Sequence, residues 1–486
     1  MKLFTFVTFL FSGIFMYQFV ETVSKNKFAA LISSIFYMIM PYRLLNTYVR
    51  LAVGEMTSFI FIPIIFRGVY YILNGNTNKS YFYVLGTIGL FLSHNITTML
   101  TFILGFAYVL INLDNLKNKK VFKTLISSTL VIALCVLFFE IPIFEQKHSC
   151  DYEVFRYGKM YTRTSVQGHG LNPIQLVTSH ASFVDNGMYF TIGISTILLL
   201  LLTPFTLKRL KNNKNLKKNY LFFLISGIVA LFMTTFLFPW IIMPSILLMI
   251  QFPWRMEVIS TFCLSFVCGI NLYIFFNYLI NKYQEKNNIK KIISILFTLF
   301  ISISCVYSLS FTKGLDVRDI GNDYFREKET IDTYWEVSRY SSYIEYWPCR
   351  AEKSIDYIIN HDGKVHILSG NVNISNESKV NGILKFNIEN AQDNTTIELP
   401  YLYYKGYVVK FENKENGEIK KIEPTESKNG LLEIKVDSNS IGTYEVSYHA
   451  TKLHKICIII SFTTFAIYII YLIYKKLKSK NLNIKK

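Results

Sequence analysis

Apolar residues in this chain collect into long runs instead of alternating with polar ones. Eleven runs stand out, at residues 3–20, 28–41, 56–74, 81–94, 97–112, 122–143, 187–206, 219–237, 255–280, 292–310 and 453–474. Most carry almost no charge inside, and helices of that kind are solvated only by a bilayer. The pattern predicts a polytopic membrane protein of about eleven spans. The second run is short unless it tilts or continues into Pro41-Tyr42-Arg43. The fourth and fifth meet at Ser93-His94-Asn95 and predict a tight helical hairpin. Residues 238–253 are apolar but broken by Pro239, Pro244 and Pro253, which predicts a re-entrant or interfacial segment.

Between the last two runs the pattern changes. Residues 311–363 mix Tyr, Trp and charge, and read as helix and loop. From Lys364 short alternating segments follow: KVHIL, KVNGILKFNIE, TTIELPYLYY, GYVVKFEN, GLLEIKV and GTYEVSYHA. Gly, Asn and Pro punctuate them, as in a β-sandwich, here over residues 364–452. The expected fold class is therefore mainly α: a transmembrane bundle over residues 1–310 with an outer loop at 144–186, a β-sandwich inserted before the last helix, and a basic tail at 475–486.

Charge then orients the chain. The net charge of +18 suggests a polyanion partner until its placement is checked. Residues 208–218 hold six basic side chains, the tail at 475–486 six, and 113–123 and 281–291 four each. All abut apolar runs, which is the mark of cytoplasmic loops. Residues 310–452 instead carry 18 basic against 23 acidic residues. The basic excess is thus a topology signal, and nucleic acid is excluded as the partner. The expected arrangement is a multi-pass protein of the cell membrane with an extracytoplasmic sandwich and a cytoplasmic C-terminus. Parity then places the N-terminus outside, although Met1 is followed at once by an apolar helix; a short translocated N-terminus and a missing upstream helix both satisfy it. Among the seven cysteines, Cys150 and Cys349 fall outside the apolar runs, where pairing is open to them.

Four places carry candidate chemistry. In PYRLLNTYVRLAVGE, Arg43, Arg50 and Glu55 stand beside Tyr42 and Tyr48; two arginines there suit a phosphate, or serve as interfacial anchors. His94, at the hairpin turn, suits a phosphate contact or proton shuttle, or simply caps the turn. Glu140 is a carboxylate within an apolar run, which must pair, work or reach water. Arg255 enters the ninth run behind Pro253 and Trp254, which fix its approach. His169 and His180 stand eleven apart in a loop, a weak spacing for a metal. No phosphate-cradling glycine loop and no GxSxG occurs.

The strings GIFMYQFV, MPYRLLNTYVRLAVGE, LSHNITTML, GHGLNPIQL, QFPWRME and ELPYLYYKGY, in that order, resemble a group of bacterial multispanning proteins labelled "6-pyruvoyl-tetrahydropterin synthase-related". That pterin synthase uses a His-ligated zinc, and no matching histidine pattern occurs here. The group in turn looks like the GT-C type of glycosyltransferase, which takes sugar from a polyprenyl-phosphate carrier at the outer membrane face. The resemblance implies carrier-phosphate contacts from Arg43, Arg50, His94 and Arg255, with Glu55 and Glu140 orienting them or assisting proton transfer. It implies membrane lipid and an envelope glycan acceptor as partners, and leaves a divalent metal open. In such proteins the loop after the first helix supplies an acidic residue, so the resemblance also implies a helix and an acidic loop ahead of Met1. The competing expectation is a non-enzymatic scaffold that binds lipid or glycan through its sandwich.

Overall fold

The structure is a computed structural model, and it describes residues 2–152, 162–177, 188, 190–312 and 346–484. The chain divides into two compact units. One comprises Met1–Val136, Met160–Val317 and Thr464–Lys486, the other Leu137–Lys159 and Arg318–Thr463.

The first unit is helical. In chain order it contains α1 (Lys2–Ser24), α2 (Lys27–Ile39), α3 (Pro41–Leu44), α4 (Val53–Leu73), α5 (Tyr81–Phe91), α6 (Asn95–Leu110) and α7 (Leu113–Leu116). The long α8 (Lys119–Lys147) begins here and runs on into the second unit. After it come α9 (Arg163–Gly168), α10 (Ile194–Leu200), α11 (Thr203–Arg209), α12 (Lys214–Thr234), α13 (Glu257–Lys282) and α14 (Asn287–Ser308). Its centre is a cluster of rings, in which Phe19, Phe66, Phe223, Phe262 and Phe266 stand with centroids 4.8–6.4 Å apart. Some buried polar groups pair across helices, as burial away from water favours. Tyr220 donates to Asn271 Oδ1 at 2.7 Å, and Asn271 Nδ2 donates to the Leu199 carbonyl at 2.9 Å.

Seven described helices are long and apolar enough to cross a membrane, and the pair Lys27–Ile39 and Pro41–Val49, bent by 50°, raises the number to eight. The other segments expected as spans are shorter. Residues 81–94 form an 11-residue helix and 97–112 a 16-residue one. The stretch 187–206 is broken at Leu201-Leu202, just before Pro204, into two helices of 7 residues each. A straight span needs about 20 residues, so composition alone overstates these three. The Pro-broken stretch 238–253 yields only 3₁₀ turns, at Trp240–Ile242, Ser245–Ile250 and Pro253–Met256, with Gln251 at φ +67° between the last two.

The second unit holds a sandwich of nine strands. β1 (His366–Ser369), β4 (Thr395–Leu402), β8 (Leu431–Val436) and β7 (Thr425–Glu426) form one sheet in the order β1-β4-β8-β7. β2 (Val372–Val380), β3 (Ile383–Ala391), β9 (Gly442–Tyr448), β5 (Tyr407–Asn413) and β6 (Ile419–Ile422) form the other in the order β2-β3-β9-β5-β6. Every pairing is antiparallel. Asn381 and Gly382 both have positive φ, at 51° and 73°. They form the Asn-Gly turn that sets the β2–β3 register at Val380 and Ile383. Inward residues of both sheets, among them Phe386, Tyr444, Leu399 and Leu432, share one core.

Alternation along the chain does not single out β2, β6 and β7 as separate strands. They lie at sheet edges, and their NISNES, IKKI and TE residues lack strict alternation because edge strands need bury little and gain from charge. Two short helices, α15 (Cys349–Lys353) and α16 (Ile355–Ile359), precede the sandwich in residues expected to be helix and loop, and Trp347, Ala351 and Ile358 pack with Leu402 and Leu431. No disulfide joins Cys150 to Cys349. Their segments nonetheless run against each other, with the Cys349 amide donating to the Asp151 carbonyl at 2.7 Å. The last helix, α17 (Lys452–Ile484), begins in this unit.

Candidate functional site

Between α3 and α4 the backbone does something a transmembrane helix seldom does. Residues Leu45–Val49 form a π turn, and Leu51 follows with φ +47°. A wide turn and a non-glycine residue in the left-handed region both cost energy, of order 1–3 kcal/mol for the latter, and such features gather at functional sites. Here they project Tyr42, Asn46 and Arg50 onto one carboxylate, Glu55 in the first turn of α4. The Tyr42 hydroxyl donates to Glu55 Oε1 at 2.6 Å and Asn46 Nδ2 donates to the same oxygen at 3.2 Å. Arg50 Nη1 reaches Glu55 Oε2 at 3.1 Å, the Tyr42 oxygen at 3.4 Å and Asn46 Oδ1. The Glu55 side chain is 2% exposed and that of Arg50 15%. Among the described residues, the Arg50 hydrogen bonds all run through Nη1, so Nε and Nη2 stay available to an incoming anion.

Two further side chains act on Glu55, His94 and Arg255. His94 caps α6 through Nδ1, which accepts the Thr97 amide at 3.2 Å. It comes close because residue 54 is glycine. A Cβ there would stand 2.5 Å from the Ser93 carbonyl oxygen and 3.5 Å from His94 Cδ2. Arg255 donates through Nη1 to the Ile250 carbonyl at 3.1 Å and to Gln251 Oε1. Gln251, like Leu51, sits at positive φ. Rings line this side. Phe252 stacks on Trp254 at 4.3 Å, Phe190 meets Trp254 at 4.9 Å, and Tyr42 meets Phe190 at 6.4 Å.

One carboxylate in this cluster escaped sequence reasoning. Glu257, two residues beyond Arg255 in QFPWRME, is 1% exposed, and its Oε1 has no hydrogen-bond partner among the described residues. It acts electrostatically on Glu55 and on Tyr42. The signal was a carboxylate at the mouth of an apolar run, the same signal that singled out Glu140.

The expected residues therefore divide. Arg50, Glu55, His94 and Arg255 come together from four separate segments. Arg43 lies elsewhere: it is 0% exposed, its guanidinium sits 4.7 Å from the Phe9 ring and 4.6 Å from that of Phe59, and Nη1 donates to the Met56 carbonyl at 2.5 Å. Those are the contacts of a core cation held by aromatic faces. Glu140 belongs to the second unit, whereas the residues acting on Glu55 all belong to the first. His169 donates to the Ser165 carbonyl at 2.8 Å with its ring edge-on to Phe252, while His180 lies outside the described residues.

Beside Arg255 opens an apolar cavity of about 170 Å³. Its walls include Leu104, Met233, Trp240, Ile250 and Met256. Ile250 joins cavity to cluster, since it lines the one and its carbonyl binds Arg255 of the other.

No family model and no solved structure matches the chain. An "Uncharacterized protein" of Lactococcus lactis subsp. cremoris (strain MG1363) is 31% identical over 114 residues, which are 23% of this chain and 18% of that protein. The match thus spans less than a fifth of that relative's length.

Proposed function

We propose that the chain belongs to a GT-C-like membrane glycosyltransferase that moves sugar from a polyprenyl-phosphate carrier to a cell-envelope acceptor. The observation that carries this reading is the juxtaposition of Arg50, His94 and Arg255 around buried acids, next to an apolar cavity. A polyprenyl phosphate has the matching form, an anion at the end of a hydrocarbon chain. In the reaction the sugar C1–O(phosphate) bond breaks and a bond from C1 to the acceptor oxygen forms. The acceptor proton goes to a carboxylate, and the departing phosphate keeps the bonding pair and is stabilised by cations. Arg50 and Arg255 are the cations, and Glu257, with its unpartnered Oε1, joins Glu55 as the candidate base. The shorter helices α5, α6 and α10 complete a bundle of about eleven segments in this reading, with the sandwich outside the cell and the basic tail inside.

Binding of undecaprenyl phosphate to the full chain in nanodiscs tests the site without knowledge of the sugar. Each arginine contact to a phosphate is a charge-assisted hydrogen bond of about 1.5–3 kcal/mol. Arg50→Ala plus Arg255→Ala is expected to weaken binding by more than about tenfold, with Glu257→Gln retaining affinity. Wild-type affinity in the double variant would remove the basis of the proposal. The scaffold alternative predicts that outcome, together with a phenotype on deleting residues 364–449.

A further inference from the structure

The sandwich unit contains a second cluster, independent of the carrier site. His361 and Asp362 follow α16, and His366 opens β1. Their ligand atoms all lie within 4.8 Å of one another.

The hydrogen-bond polarity around them runs one way. Glu398 on β4 is 0% exposed, and its oxygens accept from Asn429 Nδ2 at 3.2 and 3.1 Å and from the Ser427 hydroxyl. A carboxylate engaged in this way is an acceptor, so the single Tyr357 hydroxyl proton goes to Glu398 Oε1, 2.6 Å away. The Tyr357 oxygen must then accept from His366 Nδ1 at 3.0 Å. His366 is thereby held with its proton on Nδ1, and its Nε2 lone pair faces Asp362 Oδ1 at 2.8 Å. Two acceptors at that separation repel unless a cation stands between them. A chain of carboxylate, hydroxyl and imidazole N–H behind a histidine is also the arrangement that orients metal ligands.

His361 supplies a third ligand. Its side chain is 2% exposed, and its Nδ1 lies 3.7 Å from Asp362 Oδ1; the Nδ1 lone pair accepts the Gly363 amide at 3.0 Å, and ligation through Nδ1 exchanges that hydrogen bond for the ion. Its Nε2, which carries the ring proton, has no hydrogen-bond partner among the described residues, so the ring is free to turn. The ring stacks on that of His366 at 4.2 Å. With metal–nitrogen bonds of 2.0–2.1 Å, two ligands on one ion stand no more than about 4.2 Å apart. On a tetrahedral ion such ligands stand about 3.3 Å apart, so the set closes by about 1.5 Å, as the His361 ring turns out of its stack. Two imidazoles and one carboxylate suit zinc or a related divalent transition ion, whereas calcium and magnesium prefer all-oxygen sites. With Asp362 53% and His366 34% exposed, a fourth position is open to water.

We propose that His361, Asp362 and His366 bind a zinc-class divalent ion, which pins the loop between α16 and β1. The competing occupant is a proton on His366 Nε2, giving an imidazolium–carboxylate pair. Cobalt(II) titration of the tag-free full-length chain in detergent separates the two. The expected result is one saturable site per chain with a tetrahedral visible band, weakened more than about tenfold in His366→Gln and Asp362→Asn and unchanged in His449→Gln. Zinc is also expected to raise the melting temperature of the wild type and not that of His366→Gln. No saturable band, or equal affinity in Asp362→Asn, would assign the position to the proton and overturn the metal site. Neither outcome depends on carrier binding by the first unit.

Discussion

The contact from Tyr42 to Glu55 joins a buried carboxylate to the segment before the π turn, and its energetic worth can be isolated. Tyr42→Phe removes a 2.6 Å hydrogen bond to a carboxylate that is 2% exposed. Bonds to charged groups contribute about 1.5–3 kcal/mol. Glu55→Gln keeps an acceptor for Tyr42 and Asn46 but strips Arg50 of its counter-charge. Removing one partner of a buried pair costs about 3–5 kcal/mol, and the residual 15% exposure of Arg50 lowers that to about 2–3 kcal/mol. In the Glu55→Gln background the Tyr42 bond is neutral and worth only about 0.5–1.5 kcal/mol. The double variant should therefore be less destabilised than the sum of the single ones, by about 1 kcal/mol or more. Denaturant titration in mixed micelles, followed by tryptophan fluorescence, measures all four corners of the cycle. Independent sites add within about 0.3–0.5 kcal/mol. Additivity within that margin would refute the claim that the π turn serves to bind Tyr42 to an ionised Glu55.

Two other expectations follow from particular contacts. Gly54→Ala drives a methyl to 2.5 Å from the Ser93 carbonyl and should cost about 1–3 kcal/mol by overpacking, whereas Gly105→Ala, with nothing within 4 Å, should be neutral or stabilising in the same melting assay. In the sandwich unit, burial pushes the Glu426 carboxyl up, Arg350 at 3.7 Å opposes this, and the charge of Asp151 adds to it. A carboxyl raised in the folded state contributes stability below its unfolded pKa of about 4.3 and loses it as pH rises through the folded value. Glu426→Gln should thus gain stability over the wild type at pH 7–8 and none at pH 4; a gain independent of pH would contradict this assignment.

Hydropathy and alternation are local properties, and what depends on them was legible along the chain. The membrane class and the change to strands after Lys364 are of this kind, because burial in lipid and the two-residue period each leave a mark within a few residues; the segment KVNGILKFNIE reads as one strand, and the structure splits it at Asn381-Gly382. Arg50, Glu55, His94 and Arg255 were legible as well, since charge beside an apolar run is conspicuous. Their convergence was not. It depends on a π turn that re-aims Tyr42 and Asn46, on the approach of Gly54 to Ser93, and on the strained backbone at Gln251. Arg43 and Arg50 look equivalent in sequence, yet packing enclosed the first between Phe9 and Phe59 and left the second at the acid. Glu257 stands in plain view at the start of an apolar run, and only the fold brought it to Glu55. The edge strands β2, β6 and β7 and the short helices followed the same rule. Sequence determined which segments must leave water, and tertiary packing decided which charges meet, because a charge finds its partner through contacts between residues far apart in the chain.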